Sequence, residues 1–299
     1  MIIKLYRKYL PLEVRNKIYD LFLGQLLENI RNFKTWRKGL WVYIFSPFYP
    51  KNEYYDAYRS FGKYGVAFVP PNAQLKVKLV NICLSGGQNP YVLHNGKKLF
   101  FPEYLEGQEL RVAYKSLLTE QHPSSAHRYA NSFDELQGKI LLDIGAAEGI
   151  FALDVIDYVK KVYLFECDEQ WIKPLKKTFQ PWMDKVVFVR KFVTDKNIGD
   201  SITIDEFLKD KEQNNLFIKM DIEGEELNAL HGAKNILNNG QNIALAVCTY
   251  HKENDAKDVS DFFHSIGYNC EFTKGFLFLS PFLRKGVCRG WKQLTLNEK

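Results

Sequence analysis

Lys139-Ile-Leu-Leu-Asp-Ile-Gly-Ala-Ala-Glu-Gly149 is the stretch that decides how this chain folds. An apolar run ends in Asp143, then turns through Gly145 and Gly149 into the helix-like segment 150–159. That pattern is a buried strand feeding a tight small-residue loop at a helix N-terminus. Such a loop brings backbone N–H groups and the positive end of a helix to a ligand. Seventeen residues past Gly149, a second apolar strand, Val162-Tyr-Leu-Phe165, ends in Glu166. A carboxylate there can accept from both hydroxyls of a ribose, as in nucleotide-binding α/β sheets. Together the two strand ends read as a site for a nucleoside-containing cofactor.

The spacing narrows the cofactor. A dinucleotide loop needs G-x-G-x-x-G so that the backbone can approach a pyrophosphate. Here Ala147 stands where the second glycine belongs, and the strand ends in an acid. Asp143 at the loop mouth would repel pyrophosphate but suits the ammonium and sulfonium of S-adenosyl-L-methionine. The arrangement resembles motif I of class I methyltransferases. A second motif follows: Thr203-Ile-Asp-Glu-Phe-Leu208, then Leu216-Phe-Ile-Lys-Met-Asp-Ile-Glu-Gly-Glu-Glu-Leu-Asn-Ala-Leu-His-Gly-Ala233. It resembles the signature of FkbM-type methyltransferases, a strand I-K-x-D-x-E-G-x-E leading into a helix L-x-G-A. The resemblance runs from about Gly138 to Leu279, roughly half the chain. Ala147 departs from it, since many members carry Asn there.

The resemblance implies an α/β fold: a Rossmann-like seven-stranded sheet with helices on both faces, ending in an antiparallel hairpin. It also implies S-adenosyl-L-methionine as the cofactor. The candidate cofactor residues are Asp143, Gly145, Ala146, Ala147, Glu148, Gly149, Phe151, Glu166, Cys167, Val193 and Asp221.

The pattern along the chain agrees. Strands fall near 139–143, 161–166, 185–190, 215–220 and 242–249, and helices near 149–159, 168–179, 224–238 and 255–266. Such alternation means right-handed crossovers and a parallel sheet. Tyr268–Thr273, a Lys274-Gly275 turn and Phe276–Ser280 read as the terminal hairpin. Ligands bind at the carboxyl ends of such strands, where Asp143, Glu166, Asp221, Tyr250 and His251 would all lie.

Upstream, residues 1–64 form a basic, aromatic segment and 65–135 an accessory region before the methyltransferase-like part, 136–299. Of the net charge of +6, residues 1–64 supply 12 − 5 = +7 and the remainder 29 − 30 = −1. Apolar positions from Val14 to Phe33 recur at helical spacing, giving one amphipathic helix that starts at Pro11. Leu40–Phe48 is an apolar aromatic patch. Two readings fit this segment: packing on the domain or a second subunit, or docking on an anionic membrane face. Acids at Glu13, Asp20 and Glu28 favour the first. A hairpin is expected over Pro90–Phe101 around Asn95-Gly96, then a helix over Glu103–Thr119. The loop from Glu120 to Tyr129 follows, where His127, Arg128 and Tyr129, with Tyr250, are candidate acceptor-binding residues. A simple helix-capping linker is the alternative.

No apolar run is long enough to cross a membrane, and the first residues lack a signal-peptide pattern. Five scattered cysteines read as reduced thiols. A cytoplasmic protein is expected, peripheral to the inner membrane face if the first segment docks there.

Methyl transfer from a sulfonium is an in-line displacement, so alignment supplies much of the acceleration. A hydroxyl acceptor also needs a base, for which His251 and Glu223 stand ready, with Asp221 beside the methionine amine and sulfonium. Glu225 and Glu226 read as first-turn complements of a helix dipole, Asp205 as a cap, His231 and His264 as structural, and His94 as solvated. Thr249-Tyr250-His251 lacks the Asp-Asn pair that metal-dependent members of the wider class carry there, so no metal is expected. The expected acceptor is a hydroxyl of a sugar, glycan or related small molecule. Nucleic-acid methylation is disfavoured, because Asp221-Ile-Glu-Gly224 replaces the Asp/Asn-Pro-Pro-aromatic run and its charge repels phosphate. A non-catalytic scaffold and a NAD-linked oxidoreductase are the remaining readings.

Overall fold

Parallel strands buried on both faces must be apolar almost throughout, and five segments of this chain meet that demand. They are β1 (Ile140–Ile144), β2 (Lys161–Phe165), β3 (Val186–Val189), β4 (Leu216–Met220) and β5 (Ala244–Cys248). With β6 (Asn269–Phe272) and β7 (Val287–Trp291) they form one seven-stranded sheet in the order β6-β7-β5-β4-β1-β2-β3. The computed structural model describes residues 24–64, 82–83, 89–279 and 282–292. By internal contacts the chain forms two units, residues 69–277 with 284–299 and residues 1–68 with 278–283.

The sheet belongs to the first of these. Its strands alternate their side chains between two cores. Leu141, Phe217 and Ala246 face one side; Leu142, Ile144, Ile218, Met220 and Val247 face the other. Each fully buried aliphatic side chain contributes about 1.5–3 kcal/mol, so this sheet is a rigid base for groups at its strand ends.

The last strands differ from the expected terminal hairpin. β6 pairs antiparallel with β7, and β7 pairs antiparallel with β5. Leu277–Leu279 joins Phe282–Arg284 in a separate two-stranded ribbon. Burial explains the choice: Val287 and Cys288 of β7 are fully buried, whereas Leu277–Leu279 is not. Gly290 makes the fit possible, because a Cβ there would strike the Phe263 ring.

The expected helix 224–238 is two helices, Glu226–His231 and Lys234–Asn239. A Cβ at Gly232, between them, would collide with the Thr194 carbonyl. The second helix is capped by Asp205, whose carboxylate accepts from the amides of Asn235 (3.0 Å) and Ile236 (2.9 Å). The expected helix 149–159 is shorter, Ile150–Val155.

The hairpin Tyr91–His94 with Lys97–Phe100 turns at Asn95 and Gly96, both with positive φ (50° and 80°), as a type I′ turn requires. His94, expected in solvent, is buried instead. Its ring bonds the Tyr114 hydroxyl (2.9 Å) and Asp154 (2.7 Å), fixing the hairpin to helices Gly107–Glu120 and Ile150–Val155.

In the other unit, helix Gly24–Ile44 is followed by helix Glu53–Tyr64. The first passes through Phe33, its expected end, and takes in half of the aromatic patch. The part expected over 11–23 lies outside the described residues, as do 65–81 and 84–88 of the accessory strands. The two helices approach backbone to backbone at Gly39 and Gly62, where neither position has room for a Cβ.

Candidate active site

The loop after β1 is held from below. Asp143 is 1% exposed, under the loop rather than at its mouth, and its carboxylate meets Lys219 Nζ at 3.0 Å. Lys219 stands opposite it on β4 and also donates to the Gly145 carbonyl. Burial alone would strip the Lys219 charge, but Asp143 and Asp221 outweigh it and keep the ammonium protonated. The loop winds through positive φ at Gly145 (77°), Ala147 (47°) and Gly149 (78°). A Cβ at Gly145 would collide with the Asp221 carbonyl.

The loop amides expected to face a ligand turn inward. Those of Gly145 and Ala146 donate to the Phe165 carbonyl (both 3.0 Å), and that of Gly149 to the Ala146 carbonyl (2.8 Å). The Ala147 amide donates to Glu166 Oε2 at 2.8 Å. Glu166 Oε1 in turn accepts from the amides of Cys167 and Asp168, both at 2.8 Å. Three amides thus fix a half-buried carboxylate at the tip of β2, and the amides of Gly145, Ala146, Ala147 and Gly149 are all engaged within the protein. Cys167 is half-buried beside it, and burial pushes its thiol up. Val193 and Glu148 are buried, the latter with its carboxyl pushed by burial up to about 7. Phe151, expected at the cofactor, is a core residue. Its ring lies edge-on to Tyr129 at 5.1 Å and tilted on Phe217 at 5.8 Å.

A second cluster centres on Asp221, just beyond β4. Tyr250 OH donates to Asp221 Oδ1 and Tyr129 OH to Oδ2, both at 2.9 Å. His127 Nε2 lies 2.9 Å from the Tyr250 hydroxyl oxygen and 3.4 Å from Oδ2. With its hydroxyl proton given to Asp221, Tyr250 accepts from His127. Burial would raise the Asp221 carboxyl. The hydrogen bond and charge of His127, with Lys219 and His251, overcome that and hold it far below the usual carboxylate range.

His127 and Tyr129 reach this centre from the loop upstream, which is strapped to β7 by Val287 N donating to the Ala126 carbonyl (3.1 Å). Arg128, expected at the acceptor, turns its guanidinium to its own loop. Its guanidinium donates to the carbonyls of Gln121 and Ala130 (both 2.6 Å) and holds the loop itself.

His251 closes the cluster. Its Nε2 lies 3.4 Å from Asp221 Oδ1 and 3.7 Å from Glu223 Oε2. Its Nδ1 lies 3.0 Å from Glu226 Oε1. Glu226 is therefore no helix-dipole complement in solvent. It is 1% exposed and also accepts from the Ile222 amide at 2.8 Å. Glu223 (φ 57°) and Gly224 (φ 97°) are both left-handed, and this sharp turn throws Glu223 outward, 93% exposed, while bringing Glu226 under the imidazole. Burial lowers the His251 pKa, but the close Glu226 carboxylate, with Asp221 and Glu223, raises it above the ordinary value. Arg284 donates to the carbonyls of Tyr250 (2.7 Å) and His251 (2.5 Å), fixing the backbone that carries both rings.

Sequence reasoning missed Glu226 and Lys219. The clue to Lys219 was a lone cation inside Leu-Phe-Ile-Lys-Met, where burial demands a carboxylate partner. Two donor sets are close enough to share a cation, His127 with Asp221 and Cys248, and Asp221 with Glu226 and His251. Both share the Asp221 carboxylate, which already accepts from Tyr129 and Tyr250.

A sheet of this order, with one antiparallel strand between β5 and β6 and acids at the carboxyl ends of β1, β2 and β4, has the Rossmann-like fold of class I methyltransferases. Residues 178–270 match the family model of the methyltransferase FkbM domain. That match spans about a third of the chain and marks this segment as similar to an FkbM-type methyltransferase domain. The match includes the 218–226 motif, whereas the 143–149 loop and Glu166 precede it.

Among solved structures, the methyltransferase FkbM from Methylobacillus flagellatus KT shares 20% identity over 61% of this chain and 54% of its own, with a TM-score of 0.43. The chain thus spans about half of that protein. A precorrin-6y C5,15-methyltransferase from Geobacter metallireducens GS-15 shares 13% over 56% and 88%, with a TM-score of 0.38. A protein assigned as a methyltransferase from Streptococcus mutans, in complex with SAH, shares 14% over 54% and 95%, with a TM-score of 0.36. Likenesses this distant say nothing of the acceptor. No curated protein matches the chain.

Proposed function

We propose that this protein methylates a hydroxyl of a sugar, glycan or related small acceptor, with His251 as the general base. The observation that carries this reading is the His251–Glu226 pair, with Nδ1 3.0 Å from a buried carboxylate and Nε2 beside Asp221 and the exposed Glu223.

The cofactor residues fit the proposed ligand. Glu166 has its carboxylate oriented by three amides and lone pairs left for ribose hydroxyls. Inward-turned loop amides suit a ligand without phosphate. Gly145, Ala147 and Val193 would border it, Asp221 would face its cationic end, and Asp143 with Lys219 would hold the loop in place. Bound there, S-adenosylmethionine supplies an electrophilic methyl group on a good neutral leaving group.

The protein's own part is to place a hydroxyl and remove its proton. Glu226 fixes the imidazole so that Nδ1 carries a hydrogen and Nε2 is free to take one. The proton then moves from the acceptor oxygen to Nε2, and the growing imidazolium charge is met by Glu226 and Asp221. Glu223, almost wholly in solvent, is better placed to bind an acceptor hydroxyl than to serve as base.

His251→Asn should leave cofactor affinity by calorimetry within about twofold while lowering turnover roughly 10²–10⁴-fold, the range for losing a general base. Wild-type turnover in that variant would overturn the assignment. Mass spectrometry of candidate acceptors should place the new methyl on oxygen; methylation at nitrogen or carbon would refute the acceptor class.

A further inference from the structure

The helix–turn–helix of residues 24–64 ends in a surface that its own packing does not use. Tyr55, Ala57 and Phe61 are turned inward. The end of the first helix and the turn after it point their largest side chains outward: Phe48 is 84% exposed, Ile44 57% and Trp41 54%, with Tyr43, Phe45 and Tyr49 exposed beside them. The tip is ordered by local contacts. Trp41 stacks on Phe45 at 4.9 Å, and the Tyr55 hydroxyl donates to the Ser46 carbonyl at 3.0 Å.

Charge is segregated from this tip. The twelve residues Gly39–Pro50 contain no ionisable acid or cation except tyrosine, whereas Lys34, Arg37 and Lys38 precede them and Lys51 follows. From Phe33 to Tyr64 there are six Lys/Arg against two acids, Glu53 and Asp56, so 6 − 2 = +4. Behind the tip, Arg37, Lys38, Trp41, Val42, Tyr49 and Tyr58 line an open groove of about 490 Å³. An uncharged aromatic end with a basic collar has the same order as a bilayer face, where apolar chains lie beneath a layer of phosphate. Trp and Tyr favour that boundary, and clustered Lys/Arg are drawn to anionic lipid. A second copy would meet the same +4 surface, which opposes pairing through this face. No helix among the described residues is long and apolar enough to cross a membrane, so this contact would be peripheral.

We propose that the Trp41–Tyr49 tip docks on a membrane surface rich in anionic phospholipid, its aromatic side chains entering at headgroup level and its basic collar engaging lipid phosphates. This does not depend on the acceptor or on the base.

Full-length protein is mixed with vesicles of phosphatidylglycerol and phosphatidylcholine, or of phosphatidylcholine alone, and bound protein is measured by sedimentation. Binding to the anionic vesicles should be at least tenfold tighter than to neutral ones. It should fall at least tenfold in Arg37→Glu/Lys38→Glu and in Trp41→Ser/Phe48→Ser, each with unchanged helical circular dichroism and unchanged cofactor affinity. Trp36→Ser, off the tip, should bind like wild type and serves as the control for general surface change. No preference for anionic vesicles, or tip variants that bind as wild type, would overturn the proposal. So would self-association abolished by the tip changes, or displacement from vesicles by single-stranded RNA but not by added anionic lipid.

Discussion

A histidine between carboxylates titrates where its neighbours put it, and at His251 the balance runs upward. The base must be neutral, so turnover should fall as pH drops through this raised pKa. In Glu226→Gln the charge and the strong acceptor at Nδ1 are lost, which lowers that pKa. The acid limb of the pH–rate profile should therefore move to lower pH, while the plateau rate falls about tenfold or more. A limb that stays in place would remove the pair from the mechanism, whatever happened to the rate. Lys219 invites a different test. Lys219→Met leaves Asp143 buried and without its counter-charge, which typically costs about 3–5 kcal/mol. Lys219→Met with Asp143→Asn should recover much of this in urea unfolding. No recovery would mean that the pair does not act as a unit. Legibility at this scale followed position along the chain. Glu166, Asp221 and His251 could be read because each ends a strand. Glu226 was misjudged because burial decides its role. Three residues after the same turn, Glu223 is in solvent and Glu226 is sealed, and no local pattern separates them.

At the scale of elements, the two strand ends that make the site touch through backbone. Gly145 lies so close to the Asp221 carbonyl that no side chain fits, and its φ is left-handed as well. Gly145→Ala should then act twice, through strain of about 1–3 kcal/mol and by pushing the β1 loop from the β4 end. Cofactor affinity by calorimetry should drop at least tenfold, along with stability. Stability loss alone would show that the loop can reshape without disturbing the site. The five parallel strands were legible because each is an apolar run ending at a polar turn. The sixth and seventh were not paired correctly, because Lys274-Gly275 is as good a turn signal as a true hairpin needs. What decides the pairing is remote: fully buried Val287 and Cys288, and a Gly290 flush against Phe263. Val-Cys-Arg-Gly-Trp alternates too poorly to be read as a strand. Helix Gly24–Ile44 was cut short in reading for a similar reason, since its exposed aromatic turns break the expected amphipathic pattern.

For the whole molecule, charge distribution separates two kinds of interaction. Residues 1–64 carry +7 and the rest −1, so long-range attraction to an anionic surface belongs almost entirely to the first segment. Exposed charges of this kind are screened over about 10 Å at 0.1 M salt and about 3 Å at 1 M. The hydrogen bonds that set the site, from Tyr129 and Tyr250 to Asp221, are short and largely shielded, so salt should hardly reach them. Raising sodium chloride from roughly 0.1 M toward 1 M should release the protein from anionic vesicles. Turnover on a soluble acceptor should stay within about twofold over the same range, by the same screening argument. Parallel loss of both would mean that the basic segment takes part in acceptor binding itself. Retention on vesicles at high salt would shift the weight of docking from the collar of Lys34, Arg37 and Lys38 to the apolar tip, and Trp41→Ser/Phe48→Ser should then release the protein where Arg37→Glu/Lys38→Glu does not.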